Sequence, residues 1–277
     1  MGLAILWMAL AGWVLTHPIS RGAEPGGYEQ LARGWGLLLA GAFGVVHVLG
    51  RRRRFFPVAL SGVALALAAA TALTVAAAQP PRLRSTIAKE LEAREAPLLV
   101  RWDDLWASAE GRKKLAESPE LAETVAEAAE FYRALPRHAA SLAPAMLALE
   151  SLAALALAWA LYHRMSRVRI GPPLAALKQF RFNDQLIWGV ILGVTLLVLP
   201  TLERWHAAGA NLTLFFGTLY AIRGLGVLSF FLSPGWLAGV TLTLLAPMLW
   251  PFYAVGALGL GLGDTWLDWR RRTRTTT

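Results

Sequence analysis

Cysteine is absent from this sequence of 277 residues. Its absence excludes disulfide bonds, thiolate catalysis and metal centres held by cysteine sulfur. The five histidines show no metal-binding spacing such as HExxH. No nucleophile–base pair is recognisable, and the glycines near residue 260 follow no β-strand of a nucleotide-binding unit. The sequence therefore predicts neither an enzyme nor a bound metal or cofactor.

Charged residues are scarce, and long runs of the chain have none. Asp, Glu, Lys and Arg make up 16% of the residues, compared with about 25% in a typical soluble domain. Residues 55–78, 185–202 and 235–263 contain no charged side chain. A bilayer core about 30 Å thick requires about 20 apolar residues in a helix. The sequence therefore predicts an all-α fold, a polytopic transmembrane helical bundle.

The positive charges lie beside the apolar runs. The net charge is +9, and arginines cluster at residues 51–54, 164–181 and 270–274. Short basic loops next to membrane spans stay in the cytoplasm and attract anionic lipids. We therefore expect these clusters to contact the lipid bilayer, and we expect no nucleic acid partner.

The apolar runs predict about seven membrane spans. About three belong to an N-terminal transmembrane region, residues 1–79, and the others to a C-terminal transmembrane region, residues 143–277, which ends in a basic tail. The predicted spans are residues 3–16, 31–50, 55–78, 144–162, 186–202, 211–232 and 235–263.

The last apolar run is ambiguous. It is about 43 Å long at 1.5 Å per residue, which is long for one span and short for two. A break between Pro247 and Pro251 gives eight spans and returns the final arginines to the cytoplasm, as the positive-inside rule requires. We favour this interpretation over a single tilted span, which would place the basic tail outside.

Residues 80–142 differ from the rest of the chain, with 10 Lys and Arg and 11 Asp and Glu. Ser118 followed by Pro119 predicts the start of a helix, and apolar residues at helical spacing continue it until Pro136. An earlier helix is predicted over residues 86–95. We therefore expect an extramembrane helical hairpin. Its interleaved charges are typical of a solvated face, and a partner surface is the functional alternative.

Four stretches of the chain together resemble one family. They are FRFNDQLIW at residues 180–188, NLTLFFGTLYAIRGLGVLSFFL at 211–232, the proline-interrupted run at 235–263, and GLGDTWLDWRRR at 261–272. In this order they are similar to the YybS-like bacterial membrane proteins, a domain of unknown function numbered 2232. The resemblance covers roughly residues 140–272 and departs from the family pattern at Arg223, where the family has Gln.

The resemblance implies a protein of the bacterial inner membrane. The family is distantly similar to the substrate-binding subunits of energy-coupling-factor transporters and to the rod-shape protein MreD. These similarities imply a compact helical bundle with a solute cavity. They carry over no activity, because functions transfer poorly between proteins that share only a fold.

Arg223 is the most informative single residue, because it lies inside an apolar span. A charge there costs about 2.5–3.5 kcal/mol on insertion scales, so it should face the bundle interior and have a partner. Glu150, the only acid inside a span, is the predicted partner. Tyr220 shares the helical face of Arg223, and Asn211 is predicted as the N-cap of the span. These residues form a structural ion pair or a polar cavity for an anionic or zwitterionic solute, or Arg223 extends alone to the membrane surface.

The end of the last run is predicted to anchor the chain where it leaves the membrane. The anchor residues are Asp264, Trp266, Asp268, Trp269 and Arg270. Tryptophans favour the headgroup layer. The two aspartates lie one turn apart, and they can pair with arginines 270–272 or with the basic loop at 164–181.

Two functions remain open from the sequence. The chain is a solute-binding, transporter-like subunit, or it is a non-transporting membrane scaffold of the envelope or division machinery. The first function requires a small-molecule ligand and a partner subunit, whereas the second requires envelope proteins that bind the charged loop. A membrane-embedded enzyme is the third possibility, and nothing in the sequence favours it.

Overall fold

A computed structural model of the protein describes residues 27–50, 54–76, 80–232 and 250–272. Within these ranges the regular elements are α-helices and short 3-10 turns, without a β-strand, so the fold is all-α. The helices are α1 (Gly27–Leu49), α2 (Phe55–Ala76), α3 (Pro80–Ala107), α4 (Ala109–Glu117), α5 (Pro119–Met165), α6 (Ile187–Val198), α7 (His206–Leu232), α8 (Trp250–Leu267) and α9 (Trp269–Arg272).

Four helical segments of the described residues are long and apolar enough to cross a membrane. They are Glu29–Leu49, Phe55–Ala76, Pro119–Met165 and Pro200–Leu232, and the apolar segment Asp184–Val198 is shorter. The span predicted at residues 3–16 and the predicted break after Pro247 lie outside the described residues. The total of seven or eight spans therefore stays a prediction.

The chain divides into two compact units. The first unit combines Met1–Gly44 with Ala64–Pro144, and the second combines Val45–Val63 with Ala145–Thr277. Each unit thus contains two separate segments of the chain, whereas the predicted regions 1–79, 80–142 and 143–277 follow the order of the sequence.

The charged part of the first unit folds into helices because polar side chains cap their ends. The Ser108 hydroxyl accepts a hydrogen bond from the Gly111 N–H at 3.0 Å and starts α4. A Cβ at Gly111 would lie 2.5 Å from the carbonyl oxygen of Leu105, so α4 turns back closely on the end of α3. The hydroxyl of Ser118, the predicted N-cap, accepts from the Leu121 N–H at 3.3 Å at the start of α5.

Two helix boundaries predicted for this region were wrong. The helix predicted over residues 86–95 extends from Pro80 to Ala107. The helix predicted to end before Pro136 continues through Pro136 and Pro144 to Met165. A proline removes one helical hydrogen bond and bends the helix, but it does not end a helix that strong helix formers continue on both sides. Alanine and leucine dominate the sequence around both prolines.

Helix α7 is the centre of the second unit, and α6 and α8 pack against it. Helices α7 and α8 approach each other at two glycines. A Cβ at Gly224 would lie 1.7 Å from the carbonyl oxygen of Ala257, and a Cβ at Gly261 would lie 1.8 Å from that of Tyr220. Small residues allow such backbone contact between membrane helices. The close packing brings the C-terminal end of α8 beside the middle of α7.

Candidate functional site

Arg223 lies in α7 with only 2% of its side chain exposed, and two carboxylates neutralise it. Its Nε donates to Asp264 Oδ2 at 2.9 Å, and its Nη2 donates to the Asp264 carbonyl oxygen at 3.2 Å. Its Nη1 donates to Asp184 Oδ1 at 2.5 Å. All three nitrogens of the guanidinium are therefore engaged, which satisfies a charge that cannot be left unpaired away from water.

Asp264 is fully buried near the end of α8 and bridges two arginines. Besides the hydrogen bond from Arg223, its Oδ2 accepts from Arg270 Nη2 at 2.6 Å. Arg270 Nη1 also donates to the carbonyl oxygens of Lys178 and Phe180, each at 3.1 Å. Through this bridge the C-terminal end of the described chain is tied to both α7 and residues 178–180.

Asp268 separates α8 from α9 and pairs with Arg181. Its φ of 42° places it in the left-handed region, which aspartate tolerates better than most residues and which ends α8 here. Arg181 Nη2 also lies 3.8 Å from Asp264 Oδ1. Burial lowers the pKa of the Arg181 guanidinium from its ordinary value, and nearby Asp264 opposes that effect.

These contacts define a charge cluster with equal numbers of both signs. It consists of three arginines and three aspartates: Arg181, Asp184, Arg223, Asp264, Asp268 and Arg270. Arg223, Asp264 and Arg270 are the buried members of the cluster, and the other three side chains are partly exposed, so the charges of the buried members are balanced by partners within the cluster.

Aromatic rings cover one side of the charge cluster. The guanidinium of Arg223 lies over the Phe182 ring, 5.4 Å from its centroid, as in a cation–π contact. Phe182 in turn meets the edge of Tyr220 at 5.0 Å and stacks on Phe56 at 5.7 Å. Tyr220 is completely buried and donates its hydroxyl to the carbonyl oxygen of Asp184 at 3.4 Å. Tyr220 therefore helps to position the segment that supplies one carboxylate to Arg223.

The predicted pairing of Arg223 with Glu150 was wrong. Glu150 is exposed on α5, and the partners of Arg223 are Asp184 and Asp264. The prediction considered only acids inside apolar runs. Both true partners lie at the ends of such runs, where tertiary packing brings them within reach of the guanidinium.

The predicted role of Asn211 as an N-cap was also wrong, because α7 begins five positions earlier at His206. The side-chain oxygen of Asn211 accepts from the Ala145 N–H at 2.9 Å, and its amide donates to the Ala207 carbonyl oxygen at 2.7 Å. Ala145 directly follows Pro144, where a proline disturbs the hydrogen bonding of α5. Asn211 thus joins α7 to α5.

The predicted anchor residues divide into two groups. Asp264, Asp268 and Arg270 belong to the charge cluster, and both pairings left open by the sequence are present: Asp264 with Arg270, and Asp268 with Arg181. Trp266 is exposed. Trp269 lies against Gly263, where a Cβ would be 2.9 Å from the indole ring.

Two members of the charge cluster were missed as site residues in the sequence. Arg181 and Asp184 lie in the FRFNDQLIW stretch that carries part of the family resemblance. The sequence did contain a signal for a polar site here, because an arginine and an aspartate lie close to an aromatic residue directly before an apolar helix. Their membership of the charge cluster follows only from the structure, in which Asp184 pairs with Arg223 and Arg181 pairs with Asp268.

The family comparison covers most of this site. The family model described as "Predicted membrane protein (DUF2232)" matches residues 109–265. That range includes Arg181, Asp184, Arg223 and Asp264, and it ends shortly before Asp268. No curated protein and no solved structure matches the chain. Because the family model covers more than half of the sequence, the chain belongs to the DUF2232 family of membrane proteins.

Proposed function

We propose that this chain is a non-catalytic scaffold of the bacterial inner membrane that binds an envelope protein through its extramembrane helices. One observation carries the proposal: four aromatic side chains form a continuous, partly exposed row on the charged helices of the first unit. We call this row the aromatic ladder and define it as Trp106, Trp102, Tyr132 and Phe131.

The aromatic ladder joins α3 to α5. Successive ring centroids are 5.9, 5.9 and 5.8 Å apart from Trp106 to Phe131. The tryptophans are partly buried, whereas Phe131 is 64% and Tyr132 is 45% exposed. Packing on the neighbouring rings holds these two side chains in place. A partner would therefore meet large apolar surfaces that lose little further conformational freedom on binding.

An exposed ion pair borders the aromatic ladder, as charged residues border the centre of many protein interfaces. Arg133, next to Tyr132, pairs with Asp103, next to Trp102, at 3.2 Å, and both side chains are exposed. Protein interfaces combine an aromatic-rich core with a polar rim, and a few Trp, Tyr and Arg residues supply most of the binding energy. The ladder therefore favours a protein partner that offers an apolar pocket bordered by both signs of charge.

The charge cluster favours the scaffold function over a solute-transport function. A cavity for an anionic solute requires a cation whose hydrogen bonds are available to the ligand. The Arg223 guanidinium already donates from each nitrogen to Asp184 or Asp264. Its geometry is that of a register-fixing ion pair, which suits a structural role better than the binding of a ligand.

A second candidate function is a solute-binding, transporter-like subunit, and one observation favours it. Asp264 Oδ1 and Arg270 Nε are buried, and neither has a hydrogen-bond partner among the described residues. A small solute that carries both a donor and an acceptor would satisfy the two atoms. This candidate predicts that such a solute raises the melting temperature and that Arg270→Lys abolishes the effect.

The scaffold is tested by photo-crosslinking in living cells. A photoreactive amino acid replaces Phe131 in the full-length protein, and a matched control replaces Ala116, which is exposed on α4. We expect one discrete crosslinked protein at position 131, none at 116, and loss of the crosslink when Trp102→Ala removes the support of the ladder. The identified protein, once purified, should bind the reconstituted chain with an affinity that falls at least ten-fold in the Trp102→Ala variant. The same pattern of crosslinks at both positions would contradict the proposal.

A further inference from the structure

The loop after α5 is held in a fixed shape by side chains from the end of that helix. Trp159 Nε1 donates to the Pro172 carbonyl oxygen at 3.1 Å. The Tyr162 hydroxyl donates to the Val168 carbonyl oxygen at 2.8 Å and accepts from the Ile170 N–H at 3.0 Å. Because backbone groups of the loop are bound along its length, we call this loop together with the last two residues of α5, residues 164–172, the clasped loop.

Two further contacts complete the clasp. His163 Nε2 lies 3.2 Å from the carbonyl oxygen of Gly171, whose φ of 77° reverses the chain in a conformation that favours glycine. The Trp159 ring that holds Pro172 is itself packed against Phe55, with ring centroids 5.6 Å apart. The clasped loop is therefore attached to the core of the second unit.

The clasped loop exposes both apolar and positively charged side chains. Val168 is 78% exposed, and Met165 and Ile170 are exposed as well. Arg164, Arg167 and Arg169 are also exposed, and no hydrogen bond or ion pair of their guanidiniums is found within the described residues. Although these contacts order the loop, its apolar side chains remain exposed beside the arginines.

A bilayer surface satisfies both kinds of side chain at once. Arginine binds phosphate through several N–H donors, and its long apolar stem allows neighbouring side chains to reach the acyl region. The clasped loop is placed for this contact. It begins in the last turn of α5, a helix with an apolar stretch long enough to cross a membrane, and the apolar segment Asp184–Val198 comes soon after it.

We propose that the clasped loop is a binding site for anionic phospholipids. The guanidiniums of Arg167 and Arg169 bind the lipid phosphates, and Val168 and Ile170 enter the boundary between headgroups and acyl chains. The exposed apolar side chains distinguish this surface from a site for an acidic protein, whose charges would leave them in water. The proposal is independent of the aromatic ladder, which belongs to the first unit.

The absence of cysteine allows a direct test. Val168→Cys gives the full-length chain a single thiol for a spin label, and Ala116→Cys gives a matched control on α4. The labelled proteins are reconstituted into vesicles of phosphatidylcholine alone or of phosphatidylcholine with phosphatidylglycerol. The accessibility of the label to oxygen and to a water-soluble nickel complex then reports its depth.

We expect the label at position 168 to lie deeper when phosphatidylglycerol is present, and the label at 116 to stay in water in both vesicles. Arg167→Gln with Arg169→Gln should remove the difference, since each arginine near an anionic surface contributes about five-fold to membrane partition. Arg101→Gln with Arg112→Gln removes the same charge from exposed positions of the extramembrane helices and should leave the difference intact.

Three results would overturn the proposal. The label at 168 lies equally deep in both vesicles, the loop double variant keeps the lipid dependence, or the control double variant loses it as well. The melting temperature of the loop double variant in detergent should be unchanged, because the clasp uses Trp159, Tyr162 and His163 and neither arginine.

Discussion

The two units contain the same arginine–aspartate pair in opposite surroundings. Arg223 and Asp264 have 2% and 0% of their side chains exposed, whereas Arg133 and Asp103 have 55% and 56% exposed. Removing one partner of a buried pair leaves an unpaired charge and costs about 3–5 kcal/mol, while an exposed pair contributes about 0–1 kcal/mol. The buried pair should therefore contribute much more to the stability of the second unit than the exposed pair contributes to that of the first.

The largest effect is expected from Asp264→Ala. The substitution leaves both Arg223 and Arg270 buried without their shared carboxylate. We expect the free energy of unfolding in mild detergent to fall by about 3–5 kcal/mol, or the protein to fail to accumulate in the membrane. Equilibrium denaturation measures the first outcome and immunoblotting of membrane fractions the second.

Arg223→Met serves as the internal control for that prediction. The methionine is apolar and leaves Asp264 paired with Arg270 and Asp184 in partly exposed surroundings, so its effect should be smaller than that of Asp264→Ala. If Arg223→Met destabilised the protein as much as Asp264→Ala, the shared role of Asp264 would be wrong.

A smaller loss of stability is expected from Gly224→Ala. The new Cβ would lie 1.7 Å from the carbonyl oxygen of Ala257, so α7 and α8 must separate and the charge cluster between them must loosen. We expect a loss of about 1–3 kcal/mol, as for other overpacked sites. Gly217→Ala in the same helix meets no atom within 4 Å and should leave the melting temperature unchanged or slightly higher. Equal effects at both glycines would refute the close helix contact.

The smallest effect is expected from Arg133→Ala in the first unit. Water already solvates both charges, so the free energy of unfolding should change by less than about 1 kcal/mol. A double-mutant cycle with Asp103→Ala should give a coupling that shrinks as salt is added, because salt screens exposed charges. A coupling above about 2 kcal/mol that resists salt would remove the contrast between the two units.

The sequence identified the fold class and several residues of the charge cluster because single segments carry those signals. Long uncharged runs indicate spans without any knowledge of packing. Arg223 was recognisable because a charge inside an apolar run requires a partner. Asp264 and Asp268 were recognisable because local spacing placed them near arginine 270 and one turn apart.

The remaining errors come from information that lies outside a single segment. Glu150 was predicted as the partner of Arg223 because depth along a helix can be counted from the sequence, whereas the neighbours of a helix, here Asp184 and Asp264, cannot. Asn211 was assigned to a helix end because its residue type favours caps, but it bonds to Ala145 in another helix. The helix boundary at Pro136 failed for the opposite reason, since a local signal for ending was outweighed by strong helix formers on both sides.

The position of Asp264 also has a consequence for the order of synthesis. Asp264 is translated 41 residues after Arg223. At about 5–20 residues per second, Arg223 therefore exists for about 2–8 s before Asp264 is made, and during this time Asp184 is the one carboxylate of its pair that already exists. The hydrogen bonds of Arg223 in α7 are therefore incomplete until the end of α8 has been made. In a chain truncated before Asp264, Arg223 should keep Asp184 as its one carboxylate and lose the acceptors of its Nε and Nη2, so we expect the truncated chain to be degraded faster than the full-length protein.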